Sequence, residues 1–168
     1  MMRWYVVHTQ ARAEGKALSH LTNQGFDCFL PRVLRLRSHA RQTRPVLVPL
    51  FPRYLFIRLD LDETRWRAIN GTRGVVSLLA NGPHPLPVPR GLVEMLLAKC
   101  DSRQVISLAA IGVFTKGLRV RVKSGAFSGQ IGEVMETFAE GRDRVRVLLT
   151  LLGAETELQL PCYEFEAA

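Results

Sequence analysis

The spacing of apolar residues in the first hundred positions predicts strands that alternate with amphipathic helices. Apolar residues within 11–23 recur every three or four positions, as they do on one face of a helix, and Gln24-Gly25 ends that pattern. A second amphipathic helix is predicted over 91–99, and Asp62 is expected to cap a short helix that reaches Ile69. The segments with strand character are 3–9, 26–30, 46–59, which Pro49 and Pro52 interrupt, and 74–79.

The order of these segments, β-α-β-β-α-β, is that of a ferredoxin-like sandwich. Beyond a stretch without a clear pattern at 101–111, four short alternating runs are separated by turns that contain glycine, and such spacing predicts a small, closed or nearly closed β-barrel. The runs are 118–122, 131–137, 145–151 and 157–160. The sequence therefore predicts an α+β chain with an N-terminal domain at 1–100, a flexible linker at 101–111 and a C-terminal domain at 112–168.

The positive charge of the chain is concentrated in its first half. Residues 1–100 contain 15 Lys and Arg against 6 Asp and Glu, whereas residues 101–168 contain 8 against 9. Arginine outnumbers lysine by 19 to 4, and its planar guanidinium suits phosphates and base edges. The first half is thus the part expected to meet a polyanion, although a basic surface that only keeps the protein in solution stays open.

Residues suited to catalysis or metal binding are scattered along the chain. The histidines are His8, His20, His39 and His84, and the cysteines are Cys28, Cys100 and Cys162. No nucleophile motif or phosphate-binding loop accompanies them, so we expect neither an enzyme nor a cofactor or metal. There is no apolar run of about 18 residues and no signal peptide, which predicts a cytoplasmic protein with reduced cysteines that does not enter the membrane.

Three basic or polar elements of the first half are candidates for nucleic-acid binding. Arg12, Lys16, His20 and Gln24 follow one another at a spacing of four and form a polar stripe on the first predicted helix. Alone, such a stripe is typical of the solvated face of any amphipathic helix. Thr72-Arg73 and the arginine-rich segment 32–44 add to it, and no acidic residue lies between Asp27 and Asp60.

The most aromatic run of the chain, residues 50–57, is a candidate protein-binding strand. Alternation directs Tyr54 and Phe56 to one face and Leu55 and Ile57 to the other. Because a two-layer sandwich buries only one face of its sheet, the second apolar face requires another cover. The tip of a partner's coiled helices would fit such a groove.

Stretches in both halves of the chain carry a family resemblance. Residues 117–134 join an alternating strand through a glycine-spaced turn to a second strand, and they resemble the KOW motif. With WYVVHT at 4–9, PLFPRYLFIRL at 49–59 and INGTRGV at 69–75, nearly the whole chain resembles the NusG family. His20, Gln24, Thr72 and Arg73 resemble its specialised RfaH-like antiterminators more than the housekeeping factor.

The resemblance implies a transcription elongation and antitermination factor that performs no chemistry and acts as a monomer. The N-terminal domain would bind the clamp helices of the largest catalytic subunit of RNA polymerase and the non-template DNA strand, which suppresses pausing and termination. The KOW domain would bind Rho or a small-subunit ribosomal protein. The implied polymerase-binding residues are Tyr5, Phe51, Pro52, Tyr54, Phe56 and Leu96, with His8 where an aromatic residue is common. The implied DNA-binding residues are Arg12, Lys16, His20, Gln24, Thr72 and Arg73.

Several alternatives stay open at the level of sequence. Arg65-Trp66-Arg67-Ala68 replaces the polar patch that contacts the polymerase gate loop in RfaH-like proteins. Some relatives fold the C-terminal domain as a helical hairpin over the polymerase-binding pocket, but alternating valines and repeated glycines favour the barrel here. Those glycines are Gly125, Gly129, Gly132, Gly141 and Gly153. The other candidate functions are a general elongation factor of the same family and a KOW-containing ribosomal protein that binds RNA.

Overall fold

The structure, a computed structural model, describes residues 1–138 and 143–168, which form two compact units. The first unit consists of Met1–Arg32 and Val48–Val105, and the second of Val33–Leu47 and Ile106–Ala168. In the described ranges, no helix is long and apolar enough to cross a membrane. In chain order the elements of the first hundred residues are β1 (Arg3–Thr9), α1 (Glu14–Asn23), β2 (Asp27–Phe29), β3 (Arg32–His39), β4 (Gln42–Pro49), β5 (Tyr54–Leu59), a 3-10 helix (Trp66–Gly71), β6 (Val75–Leu78), β7 (Ala80–Asn81), β8 (His84–Pro85) and α2 (Leu92–Ala98).

The sheet of the first unit has four antiparallel strands in the order β2-β5-β1-β6. The chain passes from β1 to β2 through α1, and from β5 to β6 through the 3-10 helix. This order and these two crossovers are those of a ferredoxin-like sandwich. The predicted fold class is therefore confirmed.

One face of this sheet forms the hydrophobic core. Tyr5 lies opposite Ile57 and Val7 lies opposite Leu55 across the β1–β5 pair, and all four side chains are buried. Leu21 of α1 belongs to the same buried cluster. Burial of side chains of this size contributes roughly 1.5–3 kcal/mol each, so this face stabilises the unit.

The short helix before β6 begins later than the sequence indicates. It starts at Trp66, and the residue before it, Arg65, makes no side-chain capping hydrogen bond. The carboxylate of Asp60 instead accepts a hydrogen bond from the backbone N–H of Asp62 at 3.2 Å, and the backbone C=O of Asp60 accepts one from Thr64 at 2.8 Å. The prediction that Asp62 caps the helix is therefore wrong, because Asp60 organises the turn.

The arginine-rich segment, for which no secondary structure was predicted, lies in a β-hairpin. Strands β3 and β4 form a two-stranded sheet, joined by Ala40 and Arg41, whose φ angles are 50° and 63°. Two consecutive left-handed residues are the signature of a type I′ hairpin turn, which normally contains asparagine or glycine. The hairpin therefore has a strained tip.

The remaining strands of the second unit form a five-stranded antiparallel sheet in the order β12-β11-β10-β9-β13. They are β9 (Arg119–Val122), β10 (Ile131–Phe138), β11 (Arg144–Leu151), β12 (Ala154–Pro161) and β13 (Phe165–Ala167). The alternating valines are its core, as expected for a half-buried sheet; they are Val120, Val122, Val134, Val145 and Val147. The β-rich C-terminal part is thus confirmed, and Gly141, one of the glycines used to predict it, lies outside the described residues.

The segment predicted to be a linker is hydrogen-bonded within both units. In the first unit, the backbone C=O of Gln104 accepts a hydrogen bond from the N–H of Arg32 at 3.0 Å. In the second, Asp143 Oδ1 accepts hydrogen bonds from Ser107 Oγ at 2.7 Å and from the N–H of Ala109 at 3.0 Å. The division into domains at 1–100 and 112–168 stays a prediction.

Candidate functional site

The sheet face opposite the core carries a row of aromatic rings, which we call the aromatic face. Its members are Trp4 and His8 of β1, Phe29 of β2, Tyr54 and Phe56 of β5, and Phe51 just before β5. His8 stacks on Tyr54 with ring centroids 5.2 Å apart, and Phe56 stacks on Phe29 at 6.0 Å. Phe51 stands edge-on to Phe56 at 5.9 Å. The rings therefore support one another in fixed orientations.

The two outermost rings of the aromatic face remain available to a partner. Phe51 is 40% and Tyr54 38% exposed, whereas Phe56 is only 6% exposed. Exposed, ordered aromatic side chains beside buried ones are typical of protein-binding surfaces, where such side chains contribute most of the affinity. The arrangement is suited to bind an apolar surface.

A strained turn holds Phe51 next to β5. Arg53 has a φ of 70°, and its backbone N–H donates a hydrogen bond to Oε1 of the buried Glu14 at 2.8 Å. The C=O of Arg53 accepts from the N–H of Thr9, also at 2.8 Å, and the N–H of Tyr54 donates to the C=O of Phe51 at 3.0 Å. Backbone strain of this kind persists only where surrounding contacts enforce it, and here a buried carboxylate supplies such a contact.

Of the predicted polymerase-binding residues, the structure brings together Phe51, Pro52, Tyr54 and Phe56 and separates Tyr5 from them. Pro52 is exposed in the turn before β5. Tyr5 points into the core and is 3% exposed. Leu96 is buried in α2, a helix that also has exposed apolar residues outside the predicted polymerase-binding set. Those residues are Leu92, Met95 and Leu97.

The predicted DNA-binding residues form what we call the polar surface. Its members are Arg12, Lys16, His20, Gln24, Thr72 and Arg73. Gln24 Nε2 donates a hydrogen bond to Thr72 Oγ1 at 3.0 Å, which links the end of α1 to the segment before β6. The prediction that Arg12 lies on the first helix is wrong, because α1 begins only at Glu14. Arg12 lies in the turn before the helix and has a φ of 59°.

Close packing of Gly74 on α1 fixes the position of Arg73. A Cβ at Gly74 would lie 3.1 Å from the backbone N of Ala17 and 3.2 Å from the backbone O of Ala13, and the φ of Gly74 is 87°. Glycine is therefore required for this close approach. As a result the exposed Arg73 sits next to α1, while Thr72 is only 7% exposed and its hydroxyl is used inside the unit.

The hairpin of β3 and β4 adds a separate cluster of positive charge. Its exposed arginines are Arg35, Arg37, Arg41 and Arg44. No carboxylate is present between Asp27 and Asp60 to neutralise them. Residues 32–49 contain no Phe, Tyr or Trp, and His39 is the one aromatic ring in this segment, so the hairpin has little stacking surface for single-stranded bases.

A hydrophobic tip on the second unit was not predicted from the sequence. Leu152 occupies the turn between β11 and β12 with a φ of 51° and is fully exposed. A leucine is disfavoured there by both its conformation and its exposure. In the sequence, this exposed turn is indicated only by the pair Leu152-Gly153 at the end of an apolar run.

The described residues contain no group of three or more histidine, cysteine, aspartate or glutamate side chains that could hold a metal ion. The fold defines a class: proteins with a ferredoxin-like sheet and a small β-rich C-terminal part. The family model described as "NusG: Transcription termination factor nusG" matches residues 2–97. The chain belongs to the NusG family.

Individual relatives are similar along nearly their whole length. The "Transcription termination/antitermination protein NusG" of Thermus thermophilus is 32% identical over 181 aligned positions, with 95% of each chain covered. The protein of the same name from Staphylococcus carnosus is 26% identical, with 98% of this chain and 94% of that one covered. Among solved structures, Thermotoga maritima NusG is 22% identical with a TM-score of 0.39, covering 99% of this chain and 97% of that chain.

Proposed function

We propose that the protein is a transcription elongation and antitermination factor that binds RNA polymerase and suppresses pausing and termination. The observation that carries the proposal is the exposed part of the aromatic face, in a chain whose relatives are named transcription termination/antitermination proteins. In this proposal the protein is a cytoplasmic monomer without catalytic activity. Its domains are 1–100, which binds polymerase and DNA, and 112–168, which binds another protein.

The partner of the aromatic face would be the clamp helices of the largest catalytic subunit of the polymerase. The rings of Phe51 and Tyr54 project beside the buried Phe56, which offers a shallow apolar surface to the tip of a helical hairpin. His8 stacks behind Tyr54 and holds its ring in place. Tyr5 would support this surface from within the core instead of contacting the partner.

The partner of the polar surface would be the non-template DNA strand. Lys16 and Arg73 are exposed cations on neighbouring segments, and Gln24 offers an amide that can pair with a base edge. Thr72 would orient Gln24 through their hydrogen bond at 3.0 Å. Recognition of one DNA element at chosen operons would follow from these base contacts, as in the RfaH-like branch.

The barrel's partner, Rho or a small-subunit ribosomal protein, would dock at the β11–β12 turn. Leu152 projects there into solvent, and an exposed apolar side chain of this size can insert into an apolar pocket of a partner. The second half of the chain contains 8 basic against 9 acidic residues, which disfavours an RNA-binding role for the barrel. A ribosomal RNA-binding protein is accordingly the weaker alternative.

Affinity for core RNA polymerase tests the proposal. Tyr54→Ala should weaken binding about 30-fold, the effect of losing roughly 2 kcal/mol at an interface hot spot. Val76→Ala is the matched control, because Val76 is also exposed and apolar but lies on β6 outside the aromatic face. Equal affinities of the two variants, or loss of the fold in Tyr54→Ala by circular dichroism, would refute an exposed polymerase-binding role for Tyr54.

A second experiment separates the operon-specific factor from a general one. Arg73→Ala should reduce pausing or recruitment at a recognised DNA element while leaving affinity for polymerase nearly intact. The same measurement with a scrambled non-template strand is the control, and Arg65→Ala removes one charge elsewhere in the first unit. A loss that is equal on both DNA sequences would favour the general elongation factor.

A further inference from the structure

A cavity at one end of the sheet in the first unit shares Trp4 with the aromatic face and shares no residue with the polar surface. It has a volume of about 300 Å³ and is lined by Met1, Met2, Arg3, Trp4, Arg58, Val88, Pro89, Arg90 and Glu94. Trp4 and Arg58 are opposite each other across the β1–β5 pair, four pairs along the strands from His8 and Tyr54. At about 3.3 Å per residue, the cavity is roughly 13 Å from the exposed part of the aromatic face.

Positive charge dominates the cavity wall. The lining contains Arg3, Arg58 and Arg90 and a single carboxylate, Glu94, whose Oε2 already accepts a hydrogen bond from the N–H of Gly91 at 3.1 Å. None of the three arginines takes part in an ion pair within residues 1–138 and 143–168. Arg58 and Arg90, both exposed, supply two guanidinium groups at this cavity, and such groups favour an anion with several oxygens, such as a phosphate.

One of these arginines has a buried donor without an acceptor. Arg3 Nε is buried and has no hydrogen-bond partner among the described residues. Buried polar atoms are nearly always hydrogen-bonded, and an unpaired one requires an explanation. By strand alternation the side chain of Arg3 lies with Tyr5 and Leu59 on the sheet face opposite Trp4 and Arg58, so this donor is not assigned to phosphate binding beside Trp4.

The indole of Trp4 supplies a flat apolar wall beside the arginines. Its ring stands edge-on to Phe29 at 6.5 Å, and its backbone C=O accepts a hydrogen bond from the N–H of Val88 at 2.8 Å. These contacts fix one side of the ring and bring Val88 and Pro89 next to β1. Any of the nucleic-acid bases can stack on an indole ring.

We propose that this cavity binds a single nucleotide, with the base against Trp4 and the 5′-phosphate held by Arg58 and Arg90. The volume lies at the lower end of the range of small-ligand pockets, about 300–1,000 Å³, and suits one nucleotide unit and not a longer strand. The nucleotide can be free in solution or the phosphorylated end of a nucleic acid, since both present the same groups.

Fluorescence of Trp4 in the full-length protein tests the proposal. The chain has two tryptophans, so Trp66→Phe leaves Trp4 as the only reporter. Adenosine 5′-monophosphate should quench this signal saturably, and adenosine should bind about tenfold more weakly because it lacks the charge-assisted hydrogen bonds. A 5′-phosphorylated DNA pentamer and its 5′-hydroxyl counterpart distinguish a nucleic-acid end from a free nucleotide.

Charge variants in the same background complete the test. Arg58→Gln and Arg90→Gln should each weaken binding of the monophosphate about tenfold, whereas Arg65→Gln, an exposed arginine outside the cavity, should leave it unchanged. Three outcomes would overturn the proposal: no saturable quenching up to about 10 mM, equal binding of adenosine and its monophosphate, or an equal effect of all three arginine variants. None of these outcomes depends on polymerase binding, so the experiment tests nucleotide binding independently of the proposed function.

Discussion

Thr72 is a predicted DNA-binding residue, but its hydroxyl makes hydrogen bonds inside the first unit. It donates a hydrogen bond to the C=O of Ala68 at 3.2 Å and accepts one from Gln24 at 3.0 Å. Thr72→Val keeps the shape of the side chain but loses both bonds, so we expect the free energy of unfolding in urea to fall by about 1–3 kcal/mol. Thr72→Ser, which keeps the hydroxyl, is the control; a valine variant as stable as the serine variant would contradict this role.

The thiol of Cys28 gives a second prediction for a single residue. Burial, together with a smaller contribution from the neighbouring Asp27, raises its pKa to about 12. Only the thiolate reacts with iodoacetamide, so at pH 8 Cys28 should be alkylated far more slowly in the native protein than in urea, as mass spectrometry of the labelled peptide would reveal. Equal rates in both states would show that the thiol is accessible and ionised in the fold.

The same pKa has a consequence for stability. Because the native pKa lies above the unfolded one, the native state holds the proton more tightly than the unfolded state does. The contribution of Cys28 to stability is therefore complete below the ordinary thiol pKa and is lost as the pH rises from about 9 towards 12. Unfolding curves of Cys28→Ala should show a weaker decline over this range than those of the unmodified chain.

Tyr5 and Tyr54 mark the limit of what sequence predicts at the residue scale. Both are aromatic, both lie in strands, and the family resemblance assigns both to one site. Alternation predicts correctly that Leu55 and Ile57 share a face and that Tyr54 does not, but β1 is apolar on both faces. Only the pairing of Tyr5 with Ile57 decides that Tyr5 belongs to the core.

The positive charge of the β3–β4 hairpin predicts that this element contributes to binding of duplex DNA. Replacing Arg35, Arg37 and Arg44 by glutamine should weaken binding to duplex DNA of any sequence. If each arginine contacts one phosphate, the slope of log affinity against log salt should become shallower by about 3. Fluorescence anisotropy at several salt concentrations measures this slope.

A variant with the same loss of charge elsewhere controls for net charge. Lys116, Arg119 and Arg121 are exposed cations of the C-terminal part, and their replacement by glutamine lowers the net charge equally. If this variant changes the salt slope as much as the hairpin variant, the effect belongs to the whole molecule and not to the hairpin.

The elements also differ in how readily their sequence indicates them. β1 has the predicted bounds because a dense apolar run and a polar boundary coincide. The hairpin was not predicted, since its arginines obscure the alternation with Leu34 and Leu36 and its turn, Ala40-Arg41, lacks the usual glycine or asparagine. β13 has three residues, too few for any period to be recognised.

For the whole molecule, the central question is which secondary structure the C-terminal part prefers. The described β-sheet uses its valines as core, and Gly132 lies so close to β11 that a Cβ there would be 2.5 Å from the C=O of Leu148. A glycine in this position favours the sheet, since it would cost a helix interior about 1 kcal/mol. Docking of an apolar helical face onto Phe51 and Tyr54 could reverse the preference only by burying more apolar area than the sheet does.

We therefore expect the C-terminal part to be a β-barrel both alone and in the intact chain. A fragment that begins at residue 106 keeps the buried Ile106 and the hydrogen bonds of Ser107 and Ala109 with Asp143. Far-ultraviolet circular dichroism of this fragment, which lacks the Val33–Leu47 part of the second unit, should show a β spectrum, and the full-length protein should contain no more helix than α1, α2 and the 3-10 helices supply. An excess of helix in the full-length spectrum, lost when Tyr54→Ala is introduced, would instead demonstrate a helical C-terminal part docked on the aromatic face.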